Sequence, residues 1–363
     1  MICFIRRSTI DYDIRLRKYV EACVEGNVPY IAITWDRMNN CSTVYEKEIQ
    51  YKASSPYGSR MMNLLTTPGW LLFLYYNLIK NWSKFKVIHA CNLEVYIFVL
   101  PLKLLGKKLI FDVYDSVNTR VEAIVCKWAN VLLLPHEKRI LQIGVDQTAI
   151  KKLFVVENVP RFTSKIECRT KVINLPGSLI TLAYVGVLEV RNRGIENLLE
   201  FVSKDERFEL QIAGVGANME MLVENYCKQC NRIKYYGKVS YDRALDIMNS
   251  AHFIVALYYQ SDPLHKYASP NKYYESLYLG KPLITSNNTL VGLQVVEGNT
   301  GYVVDDNLES LESIFNDIAT KNFIEGYKVK SKNCINLWKS KYSTYFDEII
   351  VNQYLSIVRS LLK

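Results

Sequence analysis

The stretch Tyr267-Ala-Ser-Pro-Asn-Lys-Tyr-Tyr-Glu-Ser-Leu-Tyr-Leu-Gly-Lys-Pro282, followed by the apolar run Leu283-Ile-Thr-Ser286, decides how the chain is read. It spells one short helix with both ends marked, running into a strand. Ser269 suits the N-cap, Pro270 the first helical position and Gly280 the C-terminal cap, while Pro282 stops any continuation. Lys272 falls in the first turn, where its charge opposes the helix dipole. A cation beside an already positive helix N-terminus makes most sense if an anion binds there. Glu275, three residues on, projects from the same face. A phosphate-binding lysine with a carboxylate one turn away suits a ligand that carries both phosphates and sugar hydroxyls. The plain alternative is a surface helix with an ordinary solvated lysine.

Working outward, the same strand-and-helix rhythm fills the chain. In the first half, apolar β-prone runs occur at Ile2–Ile5, Val28–Trp35, Val87–Cys91, Leu109–Val113, Val131–Leu134 and Leu153–Val156. Asp13 can cap a helix through Tyr19, Val20 and Cys23 that closes at Gly26. Strands separated by helices imply a parallel, doubly wound sheet. Asn158 to Gly177, with Pro160, Pro176 and no clear period, reads as the linker. The rhythm restarts with Thr181–Val187, a helix with Ile195, Leu198, Leu199 and Val202 on one face, then Phe208–Ala213, Ile233–Tyr236, Phe253–Tyr258 and Leu283–Ser286. From about Ile324 onward the pattern is helical. The expected organisation is therefore α/β with two Rossmann-like domains, 1–165 and 166–335, and a closing helix over 336–363.

In open parallel sheets, ligands bind beyond the carboxyl ends of the strands. The loops expected there in the second half are rich in suitable groups. Gly186-Val-Leu-Glu-Val-Arg-Asn-Arg-Gly194 places Arg191 and Arg193 at a helix start. Gly214-Val-Gly216 is a small-residue turn that permits close backbone approach. Gly237-Lys238 and Tyr258-Tyr259 follow the next two strands. Arginine, lysine, glycine and a helix N-terminus converging on one strand edge point to a diphosphate.

Composition narrows the partners. The chain has 363 residues, 49% hydrophobic and 22% charged, enough for two ordinary domains. Its formal charge of +9 fits a phosphorylated substrate or an anionic lipid surface. No run of five like charges and no nucleic-acid signature accompanies that excess, which argues against nucleic acid as a partner. Nine cysteines are scattered without disulfide-like spacing, and Met1-Ile-Cys-Phe-Ile5 followed by Arg6-Arg7 lacks the order of a signal peptide. A cytoplasmic location follows as the expectation. Cys227-Lys-Gln-Cys230 is a lone CxxC, read as two half-buried thiols in preference to a metal or redox pair. His136, His252 and His265 carry no metal spacing, and His89 is read equally as cleft-facing or as buried and hydrogen-bonded. Two apolar runs, Gly69–Ile79 and Val95–Leu105, are flanked by lysines. They fit an interfacial helix or a core helix with a solvated basic end about equally.

The order Tyr184-Val-Gly-Val-Leu…Arg193-Gly-Ile-Glu-Asn-Leu-Leu199, Ile212-Ala-Gly-Val-Gly216, Tyr236-Gly-Lys-Val239 and Ser269-Pro-Asn-Lys-Tyr-Tyr-Glu275…Gly280-Lys-Pro-Leu-Ile284 resembles the donor domain of GT-B glycosyltransferases. The nearest group is the retaining family 4, glycosyltransferase group 1, of bacterial polysaccharide synthesis. Asp13-Ile-Arg-Leu-Arg-Lys18, Ile88-His-Ala-Cys-Asn92 and Phe111-Asp-Val-Tyr-Asp115 resemble that family's acceptor-side loops. The resemblance implies GT-B architecture, with two doubly wound domains facing across a cleft and a C-terminal helix packing back on the first. It also implies a UDP- or GDP-sugar donor, a lipid-linked or glycan acceptor, and no metal cofactor. Arg193, Lys272, Glu275, Asp115 and Tyr114 are the implied catalytic residues. Gly186, Arg191, Gly214, Gly216, Gly237, Lys238, Tyr258, Ser269, Pro270 and Asn271 are the implied donor-binding set.

The chain departs from the family pattern in three places. Tyr114 stands where a sugar-contacting histidine is frequent, and Val187 where an arginine often follows the first glycine. Seven residues before Glu275, where a second glutamate is sought, stands Ala268. A nucleotide-sugar 2-epimerase of the same fold and an inactive GT-B partner subunit are the competing readings. The retained Arg193, Lys272 and Glu275 weigh against the second, and the few acid/base side chains against the first.

Overall fold

The computed structural model describes the chain except residues 38–44, 56–59, 117–118, 147, 149, 163–172, 174–178 and 217–218. The chain divides into two units, Met1–Arg161 with Thr344–Lys363, and Phe162–Ser343. Most of the expected linker lies outside the described residues.

The first unit is a seven-stranded sheet of order β3-β2-β1-β4-β5-β6-β7. Its strands are β1 (Ile2–Arg6), β2 (Tyr30–Asp36), β3 (Glu48–Lys52), β4 (Val87–Cys91), β5 (Lys108–Asp112), β6 (Val131–Leu134) and β7 (Leu153–Val155). Every pairing is parallel. Helices on both faces bury the strands, so the inner ones read as unbroken apolar runs. The helix Ile14–Glu25 begins as expected, with Asp13 accepting from the Leu16 N–H at 2.9 Å. After Thr344 the chain rejoins this unit, and Tyr354 of that segment is fully buried.

The second unit is a six-stranded sheet of order β10-β9-β8-β11-β12-β13. Its strands are β8 (Ile180–Val185), β9 (Phe208–Ala213), β10 (Ile233–Tyr235), β11 (Phe253–Ala256), β12 (Leu283–Ser286) and β13 (Gly301–Val304). Again all pairings are parallel. In each sheet the order reverses once, between β1 and β4 and between β8 and β11. That reversal leaves a crevice at the carboxyl ends, the usual place for a ligand.

Two strands escaped the sequence reading, and both are edges. In β3, Glu-Ile-Gln-Tyr-Lys alternates polar and apolar side chains, as a strand packed on one face does. β13 opens with a glycine because a Cβ on Gly301 would stand 1.9 Å from the Leu283 carbonyl oxygen.

Candidate functional site

The carboxyl ends of β8, β9 and β10 are locked together through their backbones. The Gly186 N–H donates to the Ala213 carbonyl at 3.0 Å, the Leu188 N–H to Val215 at 3.0 Å, and the Gly214 N–H to Gly237 at 2.8 Å. Gly214 and Gly216 also have a use within the fold. A Cβ on Gly214 would meet the Gly186 carbonyl oxygen at 1.7 Å, and one on Gly216 the Leu188 oxygen at 1.7 Å. The close approach these glycines permit is therefore loop against loop. Gly186 itself has open space where a Cβ would stand, and so does Gly237, at φ +62°.

Behind Gly186 the loop rises into the helix Ile195–Lys204, whose N-cap is Gly194 in the left-handed conformation. Arg191 also has positive φ, +66°, which is uncommon for a non-glycine residue. Its N–H donates to Glu196 Oε1 at 2.8 Å, a first-turn carboxylate reaching back over the helix start. The Arg191 side chain is exposed. Arg193 is half-buried, its guanidinium 4.7 Å from the Tyr258 ring centroid and 3.4 Å from Glu189 Oε2. Tyr258 follows β11 and donates its N–H to Ser286 Oγ at 2.8 Å, so Arg193 rests on a ring anchored between β11 and β12. Lys238 is exposed at the end of the β10 loop.

From Tyr258 the chain passes through a 3-10 turn, Pro263–Tyr267, to the helix Asn271–Leu279. Its start differs from the sequence reading by one residue. Pro270 is extended, with ψ 147°, and occupies the cap position, so Ser269 lies outside the helix. The 3-10 turn delivers the chain through Ala268, at ψ 133°, in an extended path that Pro270 continues. Gly280 closes the helix with φ +66°, as expected.

Lys272 and Glu275 do share a face, but they meet each other. Lys272 Nζ stands 2.6 Å from Glu275 Oε2, and the Tyr241 hydroxyl donates to Glu275 Oε1 at 3.1 Å. Glu275 is 1% exposed and Lys272 18%. Both carboxylate oxygens are thus held before any ligand arrives. Tyr241, which fixes one of them, was absent from the sequence reading. It opens the helix Tyr241–Asn249, and its pairing with Glu275 spans thirty-four residues, so no local pattern announces it. Arg193 and Lys272 each hold a carboxylate of their own at the carboxyl edge of this sheet.

In the first unit the expected pair Tyr114 and Asp115 occupies different surroundings. Asp115 is 71% exposed, 3.6 Å from Arg139. The Tyr114 ring lies under Arg6 and Arg15, at 4.3 Å and 5.3 Å from its centroid. Beneath it sits a polar core that the sequence did not signal. Arg15 grips Asp112 through Nη2 at 2.7 Å and Nε at 3.0 Å, and His89 Nε2 stands 3.3 Å from the same carboxylate. His89 Nδ1 meets the Tyr354 hydroxyl at 2.8 Å. His89 is therefore the buried, hydrogen-bonded histidine, 0% exposed.

Burial alone would raise the Asp112 carboxyl. The Arg15 guanidinium and then His89 more than reverse this and hold it well below the ordinary value. Burial lowers the His89 imidazole. Burial and then the Arg15 charge bring the Lys18 ammonium down to about 7. His89, Cys91 and Asp112 place ligand atoms within 4.8 Å of one another. Arg15 already neutralises Asp112, and burial pushes the Cys91 thiol up, so this donor set does not suit a cation. His252 accepts from the Thr181 N–H and His265 contacts the Tyr259 carbonyl, both roles within the fold. Cys227 and Cys230 are half-buried free thiols, in line with the sequence reading.

Residues 180–319 match the family model described as glycosyl transferases group 1. That span covers every loop of the second unit described above. No curated protein sequence matches the chain. Among solved structures it is similar to a lipopolysaccharide outer core galactosyltransferase, WaaB, at 13% identity and TM-score 0.64. It is similar to HepE of Anabaena, solved with UDP and glucose, at 12% and 0.67. It is also similar to a sucrose-phosphate synthase of Thermosynechococcus elongatus, at 15% and 0.69. In each case 99% of both chains is covered, which shows the fold. The chain has the two-domain GT-B fold of these structures, and residues 180–319 of its second unit match the group 1 glycosyltransferase model.

Proposed function

We propose that the protein moves a sugar from a UDP- or GDP-sugar to a lipid-linked or polysaccharide acceptor, with retention and without a metal. The observation that carries this reading is the pair of cations at one sheet edge. Arg193 stacks on Tyr258 beside the end of β11, and Lys272 opens the helix that the same loop feeds. Transfer builds negative charge on the departing diphosphate, and fixed guanidinium and ammonium groups stabilise that charge as it forms. In this reading Arg193 and Lys272 exchange Glu189 and Glu275 for the diphosphate. Arg191 assists from the loop, and the N-terminus formed by Ser269, Pro270 and Asn271 lies against the phosphates. Glu275, released from Lys272 but still held by Tyr241, takes ribose or sugar hydroxyls. Gly186, with open space at its Cα, lets the donor approach, and Gly237 with Lys238 runs past the base. HepE, a neighbour in fold, was solved with UDP-glucose, which supports a UDP donor. Tyr114 and Asp115 are assigned to the acceptor side.

We further place the protein at the inner face of a membrane. No helix among the described residues is long and apolar enough to cross one. The helix Arg60–Lys80, however, has two apolar faces. Trp70, Leu74 and Leu78 are buried, while Leu65, Leu72, Tyr76 and Ile79, on the opposite side, are each at least 63% exposed. An exposed apolar stripe ending at Lys80, Lys84 and Lys86 fits a lipid interface with anionic headgroups. The described cysteines are free thiols, in keeping with a reducing compartment.

The test is incubation with a panel of nucleotide sugars while nucleoside diphosphate release is followed. Release with one donor, dependent on Lys272, is the expected result. No release and no thermal shift with any nucleotide would sink the donor assignment, and isomerised nucleotide sugar without release would replace transfer by epimerisation.

A further inference from the structure

Arg7 and Arg37 lie outside the groups assigned above. They leave the carboxyl ends of neighbouring strands, β1 and β2, whose parallel register sets Arg6 opposite Thr34. Each is 8% exposed. Both guanidinium groups lie over the Trp35 ring, at 4.6 Å and 5.6 Å from its centroid. Both donate to the one amide oxygen of Asn63, Arg37 Nη2 at 2.5 Å and Arg7 Nη2 at 3.3 Å, and the Ser55 hydroxyl shares that oxygen at 2.9 Å. Arg37 Nε also donates to the Ser55 carbonyl at 2.9 Å and Arg7 Nη2 to Thr67 Oγ1 at 3.2 Å, and two cations gathered on one ring and shared neutral oxygens repel each other. Arg7 Nε is buried and makes no hydrogen bond, which leaves a donor unused. The carboxylate that meets Arg7, Glu94 at 2.7 Å, is 45% exposed and so competes with water for the contact.

We propose that Arg7 and Arg37 form an anion subsite in the first unit, and that Glu94 holds the place of a phosphate group. Two planar guanidinium forks offer several N–H groups to a tetrahedral anion, and Trp35 keeps both forks in place. The phosphate is that of the acceptor, a clause that rests on the transfer reaction proposed above; the anion site itself does not depend on it. A soluble phosphate ester and a lipid headgroup present the same chemistry.

Calorimetric titration distinguishes them, with UDP held at saturation so that the second unit is occupied. The probes are inorganic phosphate and monomeric short-chain phosphatidylglycerol, which presents the headgroup without a bilayer for the apolar stripe of the helix Arg60–Lys80. Wild-type protein is expected to bind at least one probe, and Arg7→Gln and Arg37→Gln to weaken that binding tenfold or more, with UDP affinity within twofold of wild type. Loss confined to phosphate assigns a soluble anion, and loss confined to the short-chain lipid assigns a headgroup. Glu94→Gln removes the competing carboxylate and is expected to tighten binding about threefold, a gain that misfolding cannot mimic. No binding of either probe by wild type, or equal binding in the arginine variants, overturns the subsite. Failure of UDP to bind would count against the donor reading alone, and the phosphate titration would still decide this one.

Discussion

Glu275 has one oxygen held by Lys272 and the other by Tyr241, so the two partners are separable by substitution. Lys272→Ala is expected to reduce glycosyl transfer by a hundredfold or more, since it removes a cation from the departing diphosphate at about 2.7–4 kcal/mol. Steady-state rates with the donor found in the panel measure this, and near-normal turnover would remove Lys272 from the phosphate site. Tyr241→Phe deletes one hydrogen bond worth about 1 kcal/mol while keeping the ring. It should raise the donor KM several-fold and leave kcat close to wild type, because the carboxylate is only less well aimed. Lys18 makes a different prediction. Its ammonium donates to the Glu157 and Val159 carbonyls from a fully buried position. Its folded pKa of about 7 lies below the ordinary lysine value of 10.5. Between these two values the unfolded chain holds the proton and the folded chain does not, so this group makes stability rise with pH from about 7 toward 10.5. The contribution is up to about 1.4 kcal/mol per pH unit. Urea titrations at pH 7 and pH 9 should show that rise shrink in Lys18→Met, and an unchanged difference would mean the ammonium is not depressed.

Among the elements, the helix Arg60–Lys80 joins two otherwise separate features. Its inner face supplies Asn63 and Thr67 to Arg7, and its outer face presents the apolar stripe. Replacing Leu72 and Ile79 together by Glu should abolish sedimentation with vesicles containing phosphatidylglycerol. Both side chains are exposed, so stability should move by no more than about 0.5 kcal/mol per substitution. Vesicle binding that survives this pair would rule the stripe out as the membrane face. The helix Asn271–Leu279 depends on its terminator. Gly280 has φ +66°, and a Cβ there would stand 2.8 Å from Ile335. Gly280→Ala should therefore destabilise by about 1–3 kcal/mol, read from the shift in urea midpoint.

At the level of the whole molecule, the chain leaves the first unit after Arg161 and returns to it at Thr344. The return is fastened by aromatic and polar contacts. Tyr354 packs against Tyr19 with ring centroids 4.6 Å apart and reaches His89, while the Tyr345 hydroxyl accepts from the Glu157 N–H. Tyr354→Ala should cost the first unit about 3–5 kcal/mol through the cavity it leaves. Hydrogen exchange should quicken in β4 and the helix Ile14–Glu25 and stay unchanged in β8 to β12. Equal acceleration in both sheets would show that the damage is not local to the first unit.

Much of this architecture is legible in the chain itself. Strands buried on both faces are mostly apolar along their length, so Val87–Cys91, Val131–Leu134 and Leu283–Ser286 are bounded from sequence to the residue. Phe208–Ala213 is bounded by its alternation of apolar and polar side chains. Caps are local chemistry, and Asp13 and Gly280 announced their helices for that reason. The edge strands did not declare themselves: β3 alternates polar and apolar side chains, so no continuous run forms, and β13 offers only three apolar residues after a glycine. Sequence also placed Arg193 on the loop after β8 and Lys272 and Glu275 on the helix before β12, since that depends only on the order of the elements. It could not show that Lys272 closes on Glu275, that Gly214 and Gly216 serve neighbouring backbones, or that Arg15, His89, Asp112 and Tyr354 form one buried network. Those contacts join residues from 3 to more than 250 positions apart. Their partners are chosen by strand order and by the return of the chain at Thr344. Periodicity and capping act over a few residues, and they determined the elements; pairing across the fold requires the packed sheet, and only the tertiary structure decided it.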